Sequence, residues 1–500
     1  MPQVKTTSLN PAAPRPPYAS GRRPALGHAM AFMRDPVALL ERAHGEHGAI
    51  FSLRLGHKDA VFLIGPDYNQ FFFEQSYKLL TQYGSMPFFE AMFARDFLGQ
   101  APFATYMKQR DVLVPRFKGR QVGDYVDVIV AEGNQFIGRL NARGEFDLLP
   151  TLGPLVMNVA ANAFLGDDFR GSLVDDFFED FRRFSEGMDT VLPQWVPAPH
   201  LLRSKLAKRK LHKYLAEIIA RRQAAPVSPP DFLQELVDYR FKDGEELSPR
   251  LIVVFILFLV WAGHETTAGH ISWALIELLN HPDILARVIA EQRAVLGDRT
   301  EVTLDDFRKM VYLDACIKET ERRHPVAFIL QRLATADFEL DGYLIKKGTM
   351  VLVSPEISHH MEEVFTDPRS FRPERFVDRR ELCPVSGPHT LLGFGGGLHR
   401  CSGVNFAYLE MKILLTQMLR HLDLEAAAPG VPPMISKPAT KWPESPYVVR
   451  YRKKAGIAPL LGVEKALRAA GGCPAAAGSA QAPAGTPADS AAPPEPPARD

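Results

Sequence analysis

Residues 394–403 read Phe394-Gly395-Gly396-Gly397-Leu398-His399-Arg400-Cys401-Ser402-Gly403, and they run straight into Val404-Asn405-Phe406-Ala407-Tyr408-Leu409. The first stretch is a glycine-rich loop presenting a single cysteine, and the second opens a helical pattern over Ser402 to His421. Glycine permits backbone turns closed to other residues and lets the main chain approach a flat ligand closely. A helix that starts just past Cys401 aims N–H groups and the positive end of its dipole at the sulfur, favouring thiolate over thiol. The predicted role is a single anionic sulfur held against a flat metal cofactor. A lone cysteine in a loop is more often a small buried hydrophobe. Here several residue types at fixed spacing accompany it.

The spacing Phe-x-x-Gly-x-His-x-Cys-x-Gly resembles the haem-ligand loop of the cytochrome P450 monooxygenases. The resemblance implies that Cys401 is the proximal ligand of the iron of haem b, with Phe394, Gly395 and Gly403 packed around it. Thiolate donation to the iron favours cleavage of the O–O bond on the opposite face. Upstream, Glu319-Thr320-Glu321-Arg322 places a carboxylate and a guanidinium three residues apart on one helix face, where they can pair bidentately. That spacing alone usually marks an exposed ion pair. It continues into Arg323-His324-Pro325 and is followed by Phe371-Arg372-Pro373-Glu374-Arg375-Phe376. The resemblance implies a Glu-Arg-Arg structural core made by Glu319, Arg322 and Arg375, with no part in the chemistry.

Ala262-Gly263-His264-Glu265-Thr266-Thr267 follows an apolar run from Leu251 to Trp261 that suits a buried helix and is too short for a membrane span. His264-Glu265 begins the His-Glu-x-x-His zinc peptidase motif, but Ala268 stands where the second histidine is required, so that reading fails. The resemblance points to the distal helix of the haem enzymes. Ala262 and Gly263 then leave room for O2, and Glu265 and Thr266 take the acid and alcohol positions that deliver protons. Partners for the haem propionates follow in the same way: His399, Arg332, Tyr106 and Arg110, with Lys108 as a substitute for Arg110 and Tyr83 as a further contact. Relatives often carry tryptophan where this chain has Tyr106.

The 500 residues, 46% of them hydrophobic, show helical patterning without a linker from 36 to 455, which predicts one large domain. Residues 1–35 read as a proline-rich N-terminal lead, and residues 456–500 as an Ala/Pro-rich disordered tail. The lead has no stretch of signal-peptide or anchor length, so a cytoplasmic chain without a transmembrane anchor is expected, and a bacterial one by that criterion. Cys316, Cys383, Cys401 and Cys473 show no paired framework and suit a reducing compartment. A net charge of +1 argues against nucleic acid as a partner.

Helices are predicted over 35–44, 67–80, 177–186, 202–222, 230–239, 249–279, 282–296, 304–323 and 402–421, with short strands at 49–55, 60–64, 338–340, 343–345 and 349–353. Asp35 is the expected N-cap of the first, with Pro36 in its first turn. The fold class is mainly α with small β-sheets (α+β), the P450 fold. From Ala262 onward the chain looks most like the sterol 14α-demethylases, with two departures: Glu265 replaces their histidine, and Pro87 to Asp96 lacks their Phe-Gly-x-x-Val-x-x-Asp pattern. The expected activity is insertion of one oxygen atom of O2 into a bulky hydrophobic molecule, sterol- or triterpenoid-like, by hydroxylation or oxidative demethylation. Candidate pocket walls are Phe88, Phe89, Phe93, Phe97, Ile329 and Leu330, each equally readable as core. Electrons are expected from a ferredoxin and ferredoxin reductase docking on Lys118, Arg120 and Arg400, and a monomer is expected. The alternatives are a protein of the same fold that uses peroxide or isomerises its substrate, and a haem sensor or carrier without turnover.

Overall fold

Helices form the body of the protein and small sheets line its edges; the computed structural model describes residues 10–168, 173–189, 194–377, 387, 389–436, 440–464 and 466. At the centre runs a helix of 32 residues, Pro249–Asn280. Its start follows from local chemistry: the Ser248 side chain accepts the Leu251 N–H at 3.3 Å, and Pro249, lacking an N–H, takes the first turn. Ile252 to Leu257 and Thr267 to Leu278 are buried, so this helix has no solvated face over most of its length. It and Leu148–Leu165 are long and apolar enough to cross a membrane, yet more than half of each is buried against neighbouring elements. The two pack against each other in the largest hydrophobic cluster.

Several expected boundaries hold. Asp35 caps Pro36–His47 by accepting the Ala38 N–H at 3.0 Å. Others shift for tertiary reasons. The helix expected over 67–80 ends at Glu74, because Tyr77 adopts φ +67° and Leu80–Thr81 is drawn into a sheet. The helix expected over 304–323 divides at Met310 into Leu304–Lys309 and Val311–Arg323, the first opened by a capping box between Thr303 and Asp306.

Strands Ile50–Leu55, Lys58–Leu63, Met350–Val353, Leu330–Ala334 and Leu80–Thr81 lie side by side in that order, antiparallel except for the second pair. Leu330–Ala334, absent from the sequence expectation, carries Arg332 across the sheet toward the protein centre. A three-stranded sheet joins Leu422–Ala426, Val448–Lys453 and Arg143–Asp147.

Both expected domain boundaries move outward. Ala19 is buried, and Pro17 and Ala19 exchange backbone hydrogen bonds with Ser52 at 2.7 and 3.1 Å, so part of the 1–35 lead folds against the first strand. At the other end Leu460 is buried and Leu461–Gly462 pairs in parallel with Glu301–Val302, past the boundary at 455. The rest of the expected tail, with Cys473, and the segment holding Cys383 lie outside the described residues.

Candidate active site

Three elements converge on the cysteine loop: the central helix, the helix Val311–Arg323 and the helix Val404–His421. The second brings the fully buried Glu319 and Arg322, which pair bidentately at 2.8 and 2.8 Å, with Arg375 closing on the same carboxylate at 3.2 Å. Buried charges are tolerable only when every polar atom is matched. Here Arg322 also donates to the His359 and Ser370 carbonyls, Arg375 to those of Thr366 and Asp367, and Glu319 accepts the Arg372 N–H. His359 carries this scaffold to the loop. Its Nε2 accepts the Leu392 N–H at 2.9 Å, so its Nδ1 is the donor to the Arg322 carbonyl at 3.0 Å. Burial pushes this imidazole down to about 3, and the ring is neutral. No sequence motif marked His359.

The loop turns sharply, with Gly395 at φ +69° and Gly397 at φ +58°, conformations that glycine reaches freely. Gly396 is fixed by crowding, since a Cβ there would stand 2.8 Å from the Phe73 ring. The Cys401 N–H donates to the Phe394 carbonyl at 2.9 Å, and the helix begins at Val404 after Gly403. The helix terminus is expected to favour the Cys401 thiolate over the thiol. Burial pushes the thiol up, and the Gly403 N–H and Arg400 pull it down. Deprotonation therefore falls to a metal ion, which ionises a coordinating thiol outright. In the loop Gly396 is buried, whereas Gly397, Arg400 and Cys401 are exposed. The Phe394 ring lies between Tyr408 at 5.3 Å and His270 of the central helix at 6.0 Å.

Beside the cysteine sits a cluster that demands an anion. Arg332 is buried, donates through Nη1 to the Gln331 carbonyl at 2.8 Å and has no carboxylate within ion-pair reach among the described residues. Its Nε lacks any partner, and burial lowers the guanidinium to about 10. His399 faces it with an unpartnered Nε2, its pKa pushed down to about 2 by burial and then by Arg332 and Arg110. Tyr106 stacks on His399 at 4.6 Å, donates to the Leu398 carbonyl at 2.8 Å and bonds Arg110. Tyr77, which sequence reasoning missed, stacks on both rings at 5.2 and 5.8 Å and buries a hydroxyl with no partner. A buried cation and three orphaned polar atoms fit the carboxylates of an iron porphyrin. Tyr77 lies three positions past Glu74, where the helix stops, inside the 67–80 span that was expected to be helical.

Two expected propionate contacts are corrected. Lys108 points away, held on the surface by Asp243 at 2.9 Å and Glu245 at 2.6 Å and lying over the Phe241 ring. Those two carboxylates outbid a more distant anion. The Tyr83 hydroxyl is engaged by a hydrogen bond from Arg95.

Across the open space, the central helix loses its burial at Trp261 to Thr266 and regains it at Thr267. Ala262, Gly263 and Glu265 are partly exposed and Thr266 is exposed, in the middle of an otherwise buried helix. Thr266 Oγ1 donates to the Ala262 carbonyl at 2.7 Å, the i−4 back-bond that competes with the helix ladder. Above stands an aromatic wall. Phe93 meets Phe89, Phe258, Trp261 and Phe184 at 4.8, 5.5, 5.4 and 5.7 Å. Trp261 buries an Nε1–H with no partner. Phe258-x-x-Trp261, one helical turn ahead of Ala262, was legible and overlooked.

Among the expected walls, Phe88, Phe89 and Phe93 keep traces of exposure, whereas Phe97 has none and is clamped by Phe255 at 5.2 Å and Phe258 at 5.5 Å. All four belong to the largest hydrophobic cluster, Phe97 being the most enclosed of them. Leu330 pairs with Val353 in the five-stranded sheet, and Leu330 and Ile329, both partly buried, pack against the hydrophobic clusters on its two sides.

The family model for cytochrome P450 matches residues 16–451. The chain is 30% identical to a sterol 14alpha-demethylase of Mycobacterium tuberculosis over 451 residues, 88% of this chain and 99% of that protein. It is 29% identical to a sterol 14-demethylase of Arabidopsis thaliana over 424 residues, 83% of this chain and 86% of that protein. Among solved structures, the cyanobacterial CYP120A1 with retinoic acid bound superposes with a TM-score of 0.80 at 26% identity, covering 89% of this chain and all of that one.

Proposed function

The chain belongs to the cytochrome P450 family, whose haem b monooxygenase activity it therefore carries, and from that premise we propose that it oxidises a bulky sterol- or triterpenoid-like molecule. The observation supporting that substrate class is the aromatic wall of Phe89, Phe93, Phe258 and Trp261 above the opened stretch of the central helix. Such a surface buries fused apolar rings and offers little to a polar substrate. The sterol demethylase relatives point the same way.

Haem b, when bound, supplies activation of O2. Cys401 ligates its iron, while Arg332, His399, Tyr106, Arg110 and Tyr77 hold its carboxylates and fix its orientation. Glu319, Arg322, Arg375 and His359 keep the loop in place. The Ala262–Gly263 backbone leaves space beside the metal. Thr266 presents a hydroxyl there, and Glu265 lies one residue away as a carboxylate that can relay protons from solvent. Phe93 and Trp261 exclude water above the reacting carbon.

The family draws electrons from redox partners. For this chain the reading is a separate ferredoxin and its reductase, met by the exposed Lys118 and Arg400 on the cysteine side, in the cytoplasm. The experiment is a titration of the ferric holoprotein with lanosterol, cholesterol and a pentacyclic triterpene, followed in the Soret band. A low- to high-spin change with one of them and product formation with O2 and reductant is expected. A thiolate-type spectrum with no response to any polycyclic terpenoid would overturn the substrate class and leave the family assignment intact.

A further inference from the structure

On the far side of the cysteine loop, opposite the substrate, lies a cleft of about 570 Å³ bordered by Lys318, Glu321, Phe394, Arg400, Tyr408 and Lys412. Its floor contains an acid that the reaction scheme does not use. Glu321 follows Glu319 by two positions, so it leaves the buried Glu-Arg-Arg core and turns toward the loop; its residue is 3% exposed. The Tyr408 hydroxyl donates to Glu321 Oε2, and the Gly393 N–H donates to the same carboxylate. Gly393 is fitted to it: a Cβ there would stand 2.3 Å from Glu321 Cγ.

We propose that Glu321, held by Tyr408 and Gly393, is a positioning residue that sets the reduction potential of the cysteine-bound iron and couples its reduction to uptake of one proton. Two routes link it to the metal ligand. Gly393 precedes Phe394, whose carbonyl accepts the Cys401 N–H at 2.9 Å and whose ring packs on Tyr408 at 5.3 Å. The carboxylate also acts through its charge, which works against negative charge on Cys401. Burial raises Glu321 to about 7, the Tyr408, Gly393, Arg400 and Lys318 contacts pulling the other way.

The other ionisable groups around it have partners of their own or face solvent. On its own helix Asp314 is paired with Lys318 at 2.6 Å, and Lys412 of the adjoining helix holds Asp314 at 2.6 Å. Arg375 is committed to Glu319, and Tyr408 is raised well above its ordinary value. Arg308 is held by Asp305 at 2.9 Å and Arg400 is exposed. Among the described groups that line the cleft, Glu321 is the one whose pKa stands near neutrality. As one electron arrives from the external reductant, one proton from solvent in the cleft converts the carboxylate to the acid, so that the summed charge of metal and carboxylate is unchanged. Raising the pH through neutrality must then make reduction harder.

This rests on Cys401 holding the iron. The test is spectroelectrochemical titration of the full-length holoprotein between about pH 6 and about pH 8.5, for wild type, Glu321→Gln and Tyr408→Phe. Wild type is expected to lose potential as pH rises. Glu321→Gln should match wild type at the acid end, lie above it at the alkaline end and show no slope. Tyr408→Phe, which removes a bond that stabilises the carboxylate, should move the bend to higher pH. A Glu321→Gln curve parallel to wild type would overturn the proposal, and so would a flat wild-type curve even if the variant failed to bind haem. Absence of the thiolate Soret band of the carbon monoxide complex in wild type would instead overturn the assignment of Cys401.

Discussion

The two sides of the site are built by opposite rules. Under the cysteine loop, Glu319, Arg322, Arg375 and His359 form a fully enclosed network in which carbonyls and N–H groups answer the buried charges. On the substrate side, Phe89, Phe93, Phe258 and Trp261 touch one another with few polar contacts, and the Trp261 Nε1–H has none. The first side holds one geometry because breaking any bond strands a buried charge. The second can repack around whatever enters, because ring contacts are individually weak and tolerate substitution. Holding the cofactor requires the former and choosing a substrate the latter.

The contrast can be broken most directly at Glu319. Glu319→Ala leaves Arg322 and Arg375 buried without their carboxylate, a cost of about 3–5 kcal/mol, and the protein should fail to retain haem. Thermal unfolding with haem content measures it; a stable, haem-replete variant would show that the network is dispensable. Phe93→Ala removes a ring of similar burial at a cost of about 3–5 kcal/mol if the wall cannot collapse. If the wall repacks as argued, the loss is nearer the lower bound and the range of bound terpenoids widens, as a ligand-induced spin-shift panel would reveal.

His359→Ala removes two hydrogen bonds and leaves the Leu392 N–H buried, about 1–3 kcal/mol. The same residue carries a pH signature. Its folded pKa near 3 lies below the unfolded value of about 6.5, so its contribution is whole above about pH 6.5 and fades as pH falls toward 3. His270, lowered to about 4 by burial, adds to the same trend. Denaturant midpoints taken from pH 7 to pH 4 should therefore fall, and less steeply in a His359→Phe background; equal slopes would remove His359 from the account. The smallest effect on stability belongs to Thr266→Ala, within about 0.5 kcal/mol, since its hydroxyl only back-bonds its own helix. Its effect on function is larger: electrons consumed per product should rise, with the excess recovered as hydrogen peroxide. Unchanged coupling would remove Thr266 from proton delivery.

Sequence reading and structure agree best where chemistry is encoded at short range. Cys401 in its glycine turns, the Glu319–Arg322 pair on one helix face and the cap at Asp35 depend on neighbours within a few positions, and each was legible. Lys108 could not be read, because whether it turns to a propionate or to Asp243 and Glu245 depends on acids more than a hundred residues away. Tyr77 was hidden by a helix end that the sheet dictates, and the tight enclosure of Phe97 depends on four aromatic neighbours that only the packed core supplies. His359 is a plain histidine until Arg322 and Leu392 are brought to its two nitrogens.

What the sequence by itself determined is the presence of a thiol in a loop shaped for a flat metal cofactor, the buried helix that faces it and the mostly helical class of the fold. These follow from backbone conformations and side-chain periodicities that are local properties of the chain. Only the tertiary structure decided the surroundings of Cys401, Arg332 and Glu321, because each is set by desolvation and by groups distant in sequence. An ionisable side chain takes its energy from its surroundings, and those surroundings do not exist until the chain has folded.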